Sequence, residues 1–278
     1  MRMKFHYALL ALAIISLVGG AVAAQKKNEA SMTCRDSIFG DRFKSHCEIR
    51  EQTLSPGGVI NVDGLRNGGV AVKGWDRNEV LVRARIQTAA PTIAEADLLA
   101  GQIRVDTSGF RIRAEGPEAR DDYQWFVSYE ILVPRRSDLE LRASNGGISI
   151  VDVHGRIAFK TTNGGVNLQR VGGAVRGDTT NGGVHVVLDG SRWEGERLDV
   201  RTTNGGVNLL VPENYSAHLE TGTTNGNVSV GFPVNVPLTS RGRMPKDINV
   251  DLGSGGATIR VITTNGGVRI VRGSIVER

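Results

Sequence analysis

Apolar and polar residues alternate with a period of two over most of the chain that follows residue 55. The alternation is clear over Val80–Gln87 and over Trp125–Val133, which predicts two strands that each bury one face. Between them, Thr92–Glu95 follows a proline and has the residue types and spacing of a capping box. The region 55–137 is therefore predicted to be rich in strands, with one short helix.

The same period continues from Leu139 onward, where it is organised around full or close copies of the motif Thr-Thr-Asn-Gly-Gly-Val. An aliphatic residue stands six positions before each motif asparagine, and two more stand three and five positions after it, separated by a polar residue. Each unit therefore predicts a strand, an Asn-Gly turn and a second strand, with one face buried and the other in solvent. The motif asparagines are Asn145, Asn163, Asn181, Asn204, Asn225 and Asn265.

The spacing of these asparagines favours a parallel β-solenoid, also called a β-helix. They follow one another at 18, 18, 23, 21 and 40 residues, and a repeat near 20 residues is typical of coils that stack on their neighbours. Coils in register would place each asparagine above the next, so that the amides form a structural ladder of hydrogen bonds. The glycine after each asparagine is expected to supply the positive φ of a tight corner.

An antiparallel β-meander is the alternative. Asn-Gly between alternating strands is also the strongest short-range signal for a hairpin, and the buried positions fit both arrangements. The near-identity of the motif copies favours the solenoid, because hairpin tips face solvent and can vary, whereas ladder residues touch their own copies. The predicted fold class is thus all-β, with the strand-rich region followed by a parallel β-solenoid over 138–278 and the two forming one continuous domain.

Composition narrows the class of fold more than the class of partner. Glycine, at 36 of 278 residues, is well above its usual share of about 7%, and aromatic residues make up 5% of the chain. This combination fits short aliphatic strands joined by many tight turns. The formal net charge of +5 is small and the basic residues are spread along the chain. Nucleic acid is not an expected partner, since a surface that binds it is normally a clustered basic patch.

The N-terminus predicts export. Basic residues precede the apolar run Ala8–Val18, and Ala21–Ala23 has the small-residue pattern that signal peptidase cleaves. The apolar run is shorter than the roughly 20 residues needed to span a bilayer, and no later segment is long and apolar enough. We therefore expect a signal peptide over 1–23, a mature chain from about Ala24, and a periplasmic or secreted protein with no transmembrane segment.

The chain has two cysteines, Cys34 and Cys47, both close to the predicted mature start. In an exported chain such a pair predicts one disulfide, worth about 3 kcal/mol through loop-closure entropy. The pair lacks the Cys-x-x-Cys spacing of redox motifs and has too few neighbouring ligands for a zinc site. The segment 24–54 is therefore expected to be a short N-terminal piece that carries this bridge.

The sequence lacks the common motifs for catalysis, cofactors and metals. There is no HExxH pair, Walker loop, GxSxG elbow or Cys-x-x-Cys, and the glycine-rich turns lack the aspartates of calcium-binding repeats. We predict no catalytic residues, no cofactor and no metal site.

An insertion interrupts the repeats. The spacing lengthens from 18 to 23 residues between the third and fourth motif asparagines, and the extra residues fall within Asp189–Arg197. Insertions in solenoids project as loops and often form the binding face. Trp193, with Arg192 and Glu194 beside it, is therefore a candidate contact with a partner. The alternative is a tryptophan that folds back to cover the core.

Two further stretches support a resemblance to a known family. They are NGGVAVKGWDRNEV at Asn67–Val80 and VPRRSDLELRASNGGISI at Val133–Ile150. Together with the serial TTNGGV copies, they resemble the bacterial putative adhesin family known as domain of unknown function 4097, over nearly all of the mature chain. The resemblance implies a β-solenoid protein of the cell envelope, whose adhesive role is inferred from likeness to autotransporter heads. It carries no catalytic or binding residues over to this chain.

The expected function is that of a non-enzymatic, exported β-solenoid, an adhesin or interaction scaffold for another envelope protein or a surface glycan. One alternative is an accessory protein of envelope stress signalling that binds another envelope protein. A second alternative is a carbohydrate-active enzyme, because parallel β-helices host such enzymes; it would need two carboxyl groups that converge in a groove.

Overall fold

The computed structural model describes residues 32–34, 42–235, 237, 239 and 244–273. The predicted signal peptide and the expected mature start at Ala24 lie outside the described residues. The strands before the repeats are β1 (Lys44–Leu54), β2 (Val59–Asp63), β3 (Val70–Trp75), β4 (Val80–Ala90), β5 (Arg104–Asp106), β6 (Arg111–Glu115) and β7 (Gln124–Pro134). The strands of the repeat region are β8 (Asp138–Ala143), β9 (Ile148–Val151), β10 (His154–Thr161), β11 (Val166–Gln169), β12 (Gly172–Asn181), β13 (Val184–Val187), β14 (Arg197–Asn204), β15 (Val207–Val211), β16 (Ala217–Asn225), β17 (Val228–Val230), β18 (Asp247–Leu252), β19 (Thr258–Asn265) and β20 (Val268–Arg272).

Two sheets of ten strands each bury the aliphatic residues between them. The strand order is β1-β4-β7-β3-β9-β11-β13-β15-β20-β17 in sheet 1 and β18-β16-β19-β14-β12-β10-β8-β2-β6-β5 in sheet 2. Neighbouring strands of the repeats are parallel and in register; for example, Leu139, Ile157 and Val175 lie side by side on β8, β10 and β12. This pairing confirms the predicted parallel β-solenoid, and the antiparallel meander is wrong.

Each coil of the solenoid consists of one strand of sheet 2, a corner, and one strand of sheet 1. Along the stack the coils are β6–β7, β2–β3, β8–β9, β10–β11, β12–β13, β14–β15, β19–β20 and β16–β17. Their inward residues are the aliphatic positions of the repeat, and Leu168, Val186 and Leu209 are fully buried. Burying a Val, Leu or Ile side chain contributes about 1.5 to 3 kcal/mol, so this continuous aliphatic column holds the coils together.

The order of the coils in space departs from their order in the sequence near both ends of the stack. Coil β6–β7 lies outside β2–β3, although it follows that coil in the chain. Coil β19–β20, the last in the chain, lies between β14–β15 and β16–β17. The motif spacing does not indicate the second displacement, because every repeat presents the same contact residues to its neighbours.

Antiparallel strands extend three of the four sheet ends. At the end occupied by β6–β7, β4 and β1 continue sheet 1 beyond β7, and β5 continues sheet 2 beyond β6. At the other end, β18 pairs with β16 in sheet 2. The region 55–137 therefore supplies two coils and the end strands β4 and β5 to the same sheets as the repeats.

One α-helix, α1 (Ile93–Gln102), is present in the described residues and confirms the predicted short helix. The Thr92 hydroxyl accepts from the Glu95 backbone N–H, and the Glu95 carboxylate accepts from the Thr92 backbone N–H, which completes the capping box. The helix contacts β4 and β1 and buries Ala96 and Leu99. At its C-terminal end the Arg50 guanidinium donates to backbone carbonyl oxygens, one of them that of Ala100 at 2.9 Å, so β1 also caps the helix.

Candidate contact surface

The motif asparagines form one continuous ladder along a corner where the coils pass from sheet 2 to sheet 1. Each amide nitrogen donates to the amide oxygen of the next asparagine at 2.7–2.9 Å. Along the stack the ladder runs Asn225, Asn265, Asn204, Asn181, Asn163, Asn145 and Asn67. The six asparagines singled out in the sequence are all members. Asn67 is a seventh member, which the regular spacing did not reveal because 78 residues separate it from Asn145.

The first threonine of the motif is buried beneath this ladder. Thr179 is 3% exposed, and its hydroxyl donates to the carbonyl oxygen of Gly164 in the neighbouring coil at 2.8 Å. The same bond is made by Thr161, Thr202, Thr263 and Thr223. Leaving a buried hydroxyl or carbonyl without a partner costs about 1 to 3 kcal/mol, so this threonine fixes each coil on the one beside it.

The first glycine of the motif is required by close packing between coils. None of the glycines that directly follow a ladder asparagine has a positive φ, so the expected positive-φ corner is wrong. A Cβ on Gly182 would lie 2.1 Å from the carbonyl oxygen of Gly164, a distance that no side chain can occupy. A Cβ on the second glycine, Gly183, would lie 3.4 Å from its nearest neighbour, which is ordinary contact. The two glycines of one motif therefore differ in what they tolerate.

Ion pairs hold the opposite corner of the coils, where the chain passes from sheet 1 to sheet 2. Arg170 donates to both carboxylate oxygens of Asp152 at 2.5 and 2.8 Å, and Arg135 lies 3.8 Å from Asp152 and 2.6 Å from Asp76. Asp152 and Arg170 take left-handed φ values of 59° and 50°, which turn the chain within two residues. Partial burial raises the pKa of Asp152, but the hydrogen bonds and charge of Arg170 outweigh it, so that pKa lies below its usual value.

Trp193 belongs to the core, which agrees with the alternative of a tryptophan that folds back and not with the candidate partner contact. The side chain is 6% exposed, and its indole N–H donates to the carbonyl oxygen of Gly173 at 3.0 Å. Burying a large aromatic ring is favourable once its N–H has a hydrogen-bond partner. By folding back over β12, the inserted loop buries the indole ring and places its N–H beside the Gly173 carbonyl oxygen. Arg192 and Glu194 remain exposed on either side of it. Glu194 lines a cleft of about 800 Å³ at the ion-pair corner, together with Arg136.

Cys34 and Cys47 form the predicted disulfide, with their Cα atoms 5.7 Å apart. Cys47 lies on β1, and residues 32–33 lie against the outer face of sheet 1. There the Met32 backbone N–H donates to the Glu130 carboxylate at 3.5 Å, and Arg85 donates to the Thr33 carbonyl oxygen at 3.2 Å. The bridge thus holds the described part of the N-terminal segment against β4 and β7.

The outer face of sheet 1 carries a row of polar side chains next to the ladder corner. We call this row the polar strip, and its members lie side by side on β9, β11, β13, β15, β20 and β17: Ser149, Asn167, His185, Asn208, Arg269 and Ser229. It borders an open trough of about 540 Å³, which the backbone of Gly165, Gly183 and Gly206 also lines. Because glycine has no side chain, a ligand in the trough can approach the backbone of the corner.

Within the part of the chain that the structure describes, three adjacent members of the polar strip have unpaired side chains. Asn167 donates to Ser149 at 3.1 Å, so this part of the strip is paired internally. Among the described residues, the side chains of His185, Asn208 and Arg269 make no hydrogen bond or ion pair with one another or with a neighbour. Imidazole, amide and guanidinium groups offer several donors and acceptors in one row. The sequence marks these positions as polar but contains no signal that separates them from other solvent-facing positions.

The other clefts and side-chain clusters of the described residues do not indicate a particular ligand. A cleft of about 690 Å³ lies at the Asn67 end of the ladder and is lined by Arg66, Arg113 and Trp125. In the part of the chain that the structure describes, no group of three or more His, Cys, Asp or Glu side chains is arranged to hold a metal ion. No helix within that part has the length and apolar character needed to cross a membrane.

A parallel solenoid whose coils share one amide ladder defines the class of protein. The family model Toastrack DUF4097 matches residues 97–271, which is more than half of the chain. The chain belongs to this family, and the resemblance noted in the sequence is confirmed. No curated protein matches the chain significantly.

The solved structures that match this chain have very different sequences and low TM-scores. A "putative cell adhesion protein" from Clostridium sporogenes is 10% identical, with a TM-score of 0.41, over 82% of this chain and 100% of that one. A "putative adhesin" from Parabacteroides merdae is 8% identical, with a TM-score of 0.32, over 80% and 96% of the two chains. A "putative lipid binding protein" from Parabacteroides distasonis is 8% identical, with a TM-score of 0.24, over 82% and 97%. Likeness at this level gives no information on what the present chain binds.

Proposed function

We propose that the protein is an exported, non-enzymatic scaffold that contacts a cell-surface partner through the polar strip. The observation that carries the proposal is the adjacent trio of His185, Asn208 and Arg269, whose side chains point outward from a rigid sheet without partners among the described residues. Because the parallel strands already fix the spacing of these residues, binding has to order only their side-chain rotamers and no backbone segment. This favours recognition of an extended partner that runs along the stack.

A surface glycan suits the chemistry of the strip best. Its hydroxyl groups can accept from the amide, imidazole and guanidinium groups and donate to the amide oxygen and imidazole nitrogen. The glycine-lined trough beside the strip leaves room for a sugar ring against the backbone. An envelope protein is the other partner class expected from the sequence, and the binding experiment distinguishes the two.

The experiment compares Asn208→Ala and His185→Ala with a matched control on the opposite sheet. Purified protein is titrated against a panel of envelope polysaccharides and, separately, against solubilised envelope proteins. Loss of one hydrogen-bonding side chain should weaken binding to the glycan by about fivefold, which corresponds to about 1 kcal/mol. The control is Arg176→Ala, which removes an exposed side chain from the outer face of sheet 2. Unchanged binding in both strip variants, or equal loss in the control, would contradict the proposed surface.

Export is the second part of the proposal and needs its own test. The disulfide supports an oxidising compartment, because structural disulfides persist mainly outside the cytoplasm. Intact-mass analysis of protein recovered from the periplasm or medium of a bacterial host should give a chain that starts near Ala24. A chain that retains Met1 and fractionates with membranes would contradict export with cleavage.

A further inference from the structure

The last coil of the chain occupies a slot between two coils that precede it. We use the word slot for the space between coil β14–β15 and coil β16–β17, which coil β19–β20 fills. In sheet 2, Leu198 on β14 lies beside Ile259 on β19, and Ile259 lies beside Leu219 on β16. In sheet 1, β20 lies between β15 and β17 in the same manner. Coil β19–β20 therefore lies between two coils that both precede it in the sequence.

The contacts on the two sides of the slot have the same form as those between other coils. The Asn265 amide donates to Asn204 at 2.7 Å and accepts from Asn225 at 2.8 Å. The hydroxyl of Thr263 donates to Gly205, and that of Thr223 donates to Gly266. Any coil with this motif and register can make these contacts. The slot therefore recognises the shape of a coil, and nothing in it depends on which molecule supplies that coil.

The connection to the last coil is long enough to reach another molecule. Coils β8–β9, β10–β11 and β12–β13 are joined in series by short corners, whereas residues 231–246 link β17 to β18. Sixteen residues can span up to about 50 Å when extended, while packed sheets lie about 10 Å apart. In sheet 2, β16 lies between β18, with which it pairs antiparallel, and β19, with which it pairs parallel. The segment 247–272, which we call the C-terminal unit, follows this sixteen-residue connection and contains β18, β19 and β20.

We propose that the slot accepts the C-terminal unit of a second copy of this chain, so that two molecules exchange their last coils. The ladder bonds, threonine bonds and aliphatic contacts of the slot are the same whether the unit comes from its own chain or from the partner. Exchange of an identical element therefore loses no contact, and the exchanged dimer is favoured by a high concentration of chains during folding. The partner copy completes the stack, including the stretch of the polar strip that contains Arg269.

The experiment uses two full-length variants that are produced together in one exporting host. One carries Thr203→Cys on β14 and the other carries Thr264→Cys on β19; both positions are exposed, and they lie opposite each other in neighbouring strands. Adjacent parallel strands lie about 4.8 Å apart, within the range that a disulfide can bridge. In an exchanged dimer the first variant receives the C-terminal unit of the second. We expect a disulfide-linked dimer on a non-reducing gel and a peptide that joins positions 203 and 264.

The matched control is a mixture of Thr162→Cys and Thr180→Cys. These residues have the same place in the motif and are exposed, but their coils are joined by a two-residue corner that prevents exchange. A single chain with both Thr203→Cys and Thr264→Cys tests whether the pair can be oxidised. Native mass spectrometry of the unsubstituted protein, refolded at high concentration, gives an independent readout and should show a dimer that persists on dilution. The proposal is overturned if the unsubstituted protein stays monomeric, or if linked dimer is no more abundant than in the control mixture.

Discussion

The six positions of the motif differ in how they contact the neighbouring coil. The first threonine is buried and bonds to a carbonyl oxygen, the second faces solvent, and the asparagine joins the ladder. The first glycine lets two backbones approach closely, the second has ordinary room, and the valine enters the core. The cost of a substitution should therefore depend on its position within the motif more than on the coil that carries it.

Gly182→Ala is expected to lower the free energy of unfolding by about 1 to 3 kcal/mol, the usual range for an extra group forced into a packed site. The added methyl group would lie 2.1 Å from the Gly164 carbonyl oxygen. Gly183→Ala is the matched control, and we expect a change within about 0.5 kcal/mol because its Cβ has ordinary room. Urea unfolding of both variants measures the difference, and equal effects would show that the close approach is not what selects the first glycine.

Asp152→Asn is expected to change how stability depends on pH. The pKa of Asp152 is lowered in the folded protein, so its ionised form contributes stability above the unfolded value near pH 4, and this contribution is lost as pH falls through the folded pKa. At neutral pH the free energy of unfolding of the variant should be about 1 kcal/mol lower than that of the parent. This difference should diminish as the pH falls below about 4. Asparagine tolerates the left-handed φ of 59°, so the backbone can stay in place.

Thermal melts between pH 3 and pH 7 measure this difference. Asp178→Asn is the control, because Asp178 is exposed and makes no ion pair within the described part of the chain. If the difference in melting temperature between the parent and Asp152→Asn stays constant over the whole pH range, the ion pair with Arg170 is not the cause of that difference.

At the scale of elements, the inserted loop between β13 and β14 is part of the hydrophobic core. Its backbone pairs with β12, since the Gly173 N–H donates to the Glu194 carbonyl oxygen at 2.7 Å and the Glu196 N–H donates to Gly173 at 3.0 Å. Trp193 fills the space beneath this pairing. The loop therefore closes coil β12–β13 in the way that two-residue corners close coils β8–β9 and β10–β11.

Trp193→Ala is expected to lower the free energy of unfolding by about 3 to 5 kcal/mol, the range for truncation of a buried aromatic ring. Two contributions are lost in this variant. One is the buried apolar area of the ring, and the other is the hydrogen bond from the indole N–H to the Gly173 carbonyl oxygen. Arg192→Ala, one residue away and exposed, should change stability by less than about 0.5 kcal/mol. Chemical unfolding compares the two, and a Trp193→Ala protein as stable as the parent would show that the loop lies outside the cooperative core.

The elements that could be predicted from the sequence are those with local signals. The capping box at Thr92–Glu95 predicts α1, and the repeated motif predicts parallel coils because its residues touch their own copies. Coil β6–β7 has no Asn-Gly corner, so nothing in its sequence marks it as a coil. The burial of Trp193 depends on where Gly173 lies in the next coil, which is long-range information. The polar strip needs the register of six strands before its unpaired members can be recognised.

At the scale of the whole molecule, strands in the middle of the stack each pair with two neighbours. Strands at the ends of the two sheets pair with one neighbour. Among the described residues, β1 pairs with β4 only and β17 pairs with β20 only. Stability in such a linear array is close to a sum of neighbour contacts, so the ends open more readily than the centre. The disulfide offsets this at β1 by tying it to Cys34, whose neighbours Met32 and Thr33 are hydrogen-bonded to β7 and β4.

Hydrogen exchange followed by mass spectrometry should reveal this gradient. We expect the slowest exchange in β10–β15 and the fastest in β17 and β18. Reduction of the Cys34–Cys47 disulfide should speed exchange in β1 and leave the central coils unchanged, because the bridge contacts only that end. Uniform exchange along the stack, or equal acceleration everywhere on reduction, would show that the protein opens as a single unit.

The asparagine ladder also gives the stack an electrical direction. All its amides donate toward the same end, from Asn225 to Asn67, so their dipoles add along the column as peptide dipoles add along a helix. The Asn67 end is the positive pole and lies by a cleft lined with Arg66 and Arg113, while the Asn225 end is the negative pole. A single reversed amide would set oxygen against oxygen on one side and N–H against N–H on the other. Two molecules that met symmetrically at their Asn225 ends would oppose like poles, so a further coil can join the column only in the orientation that the others already have.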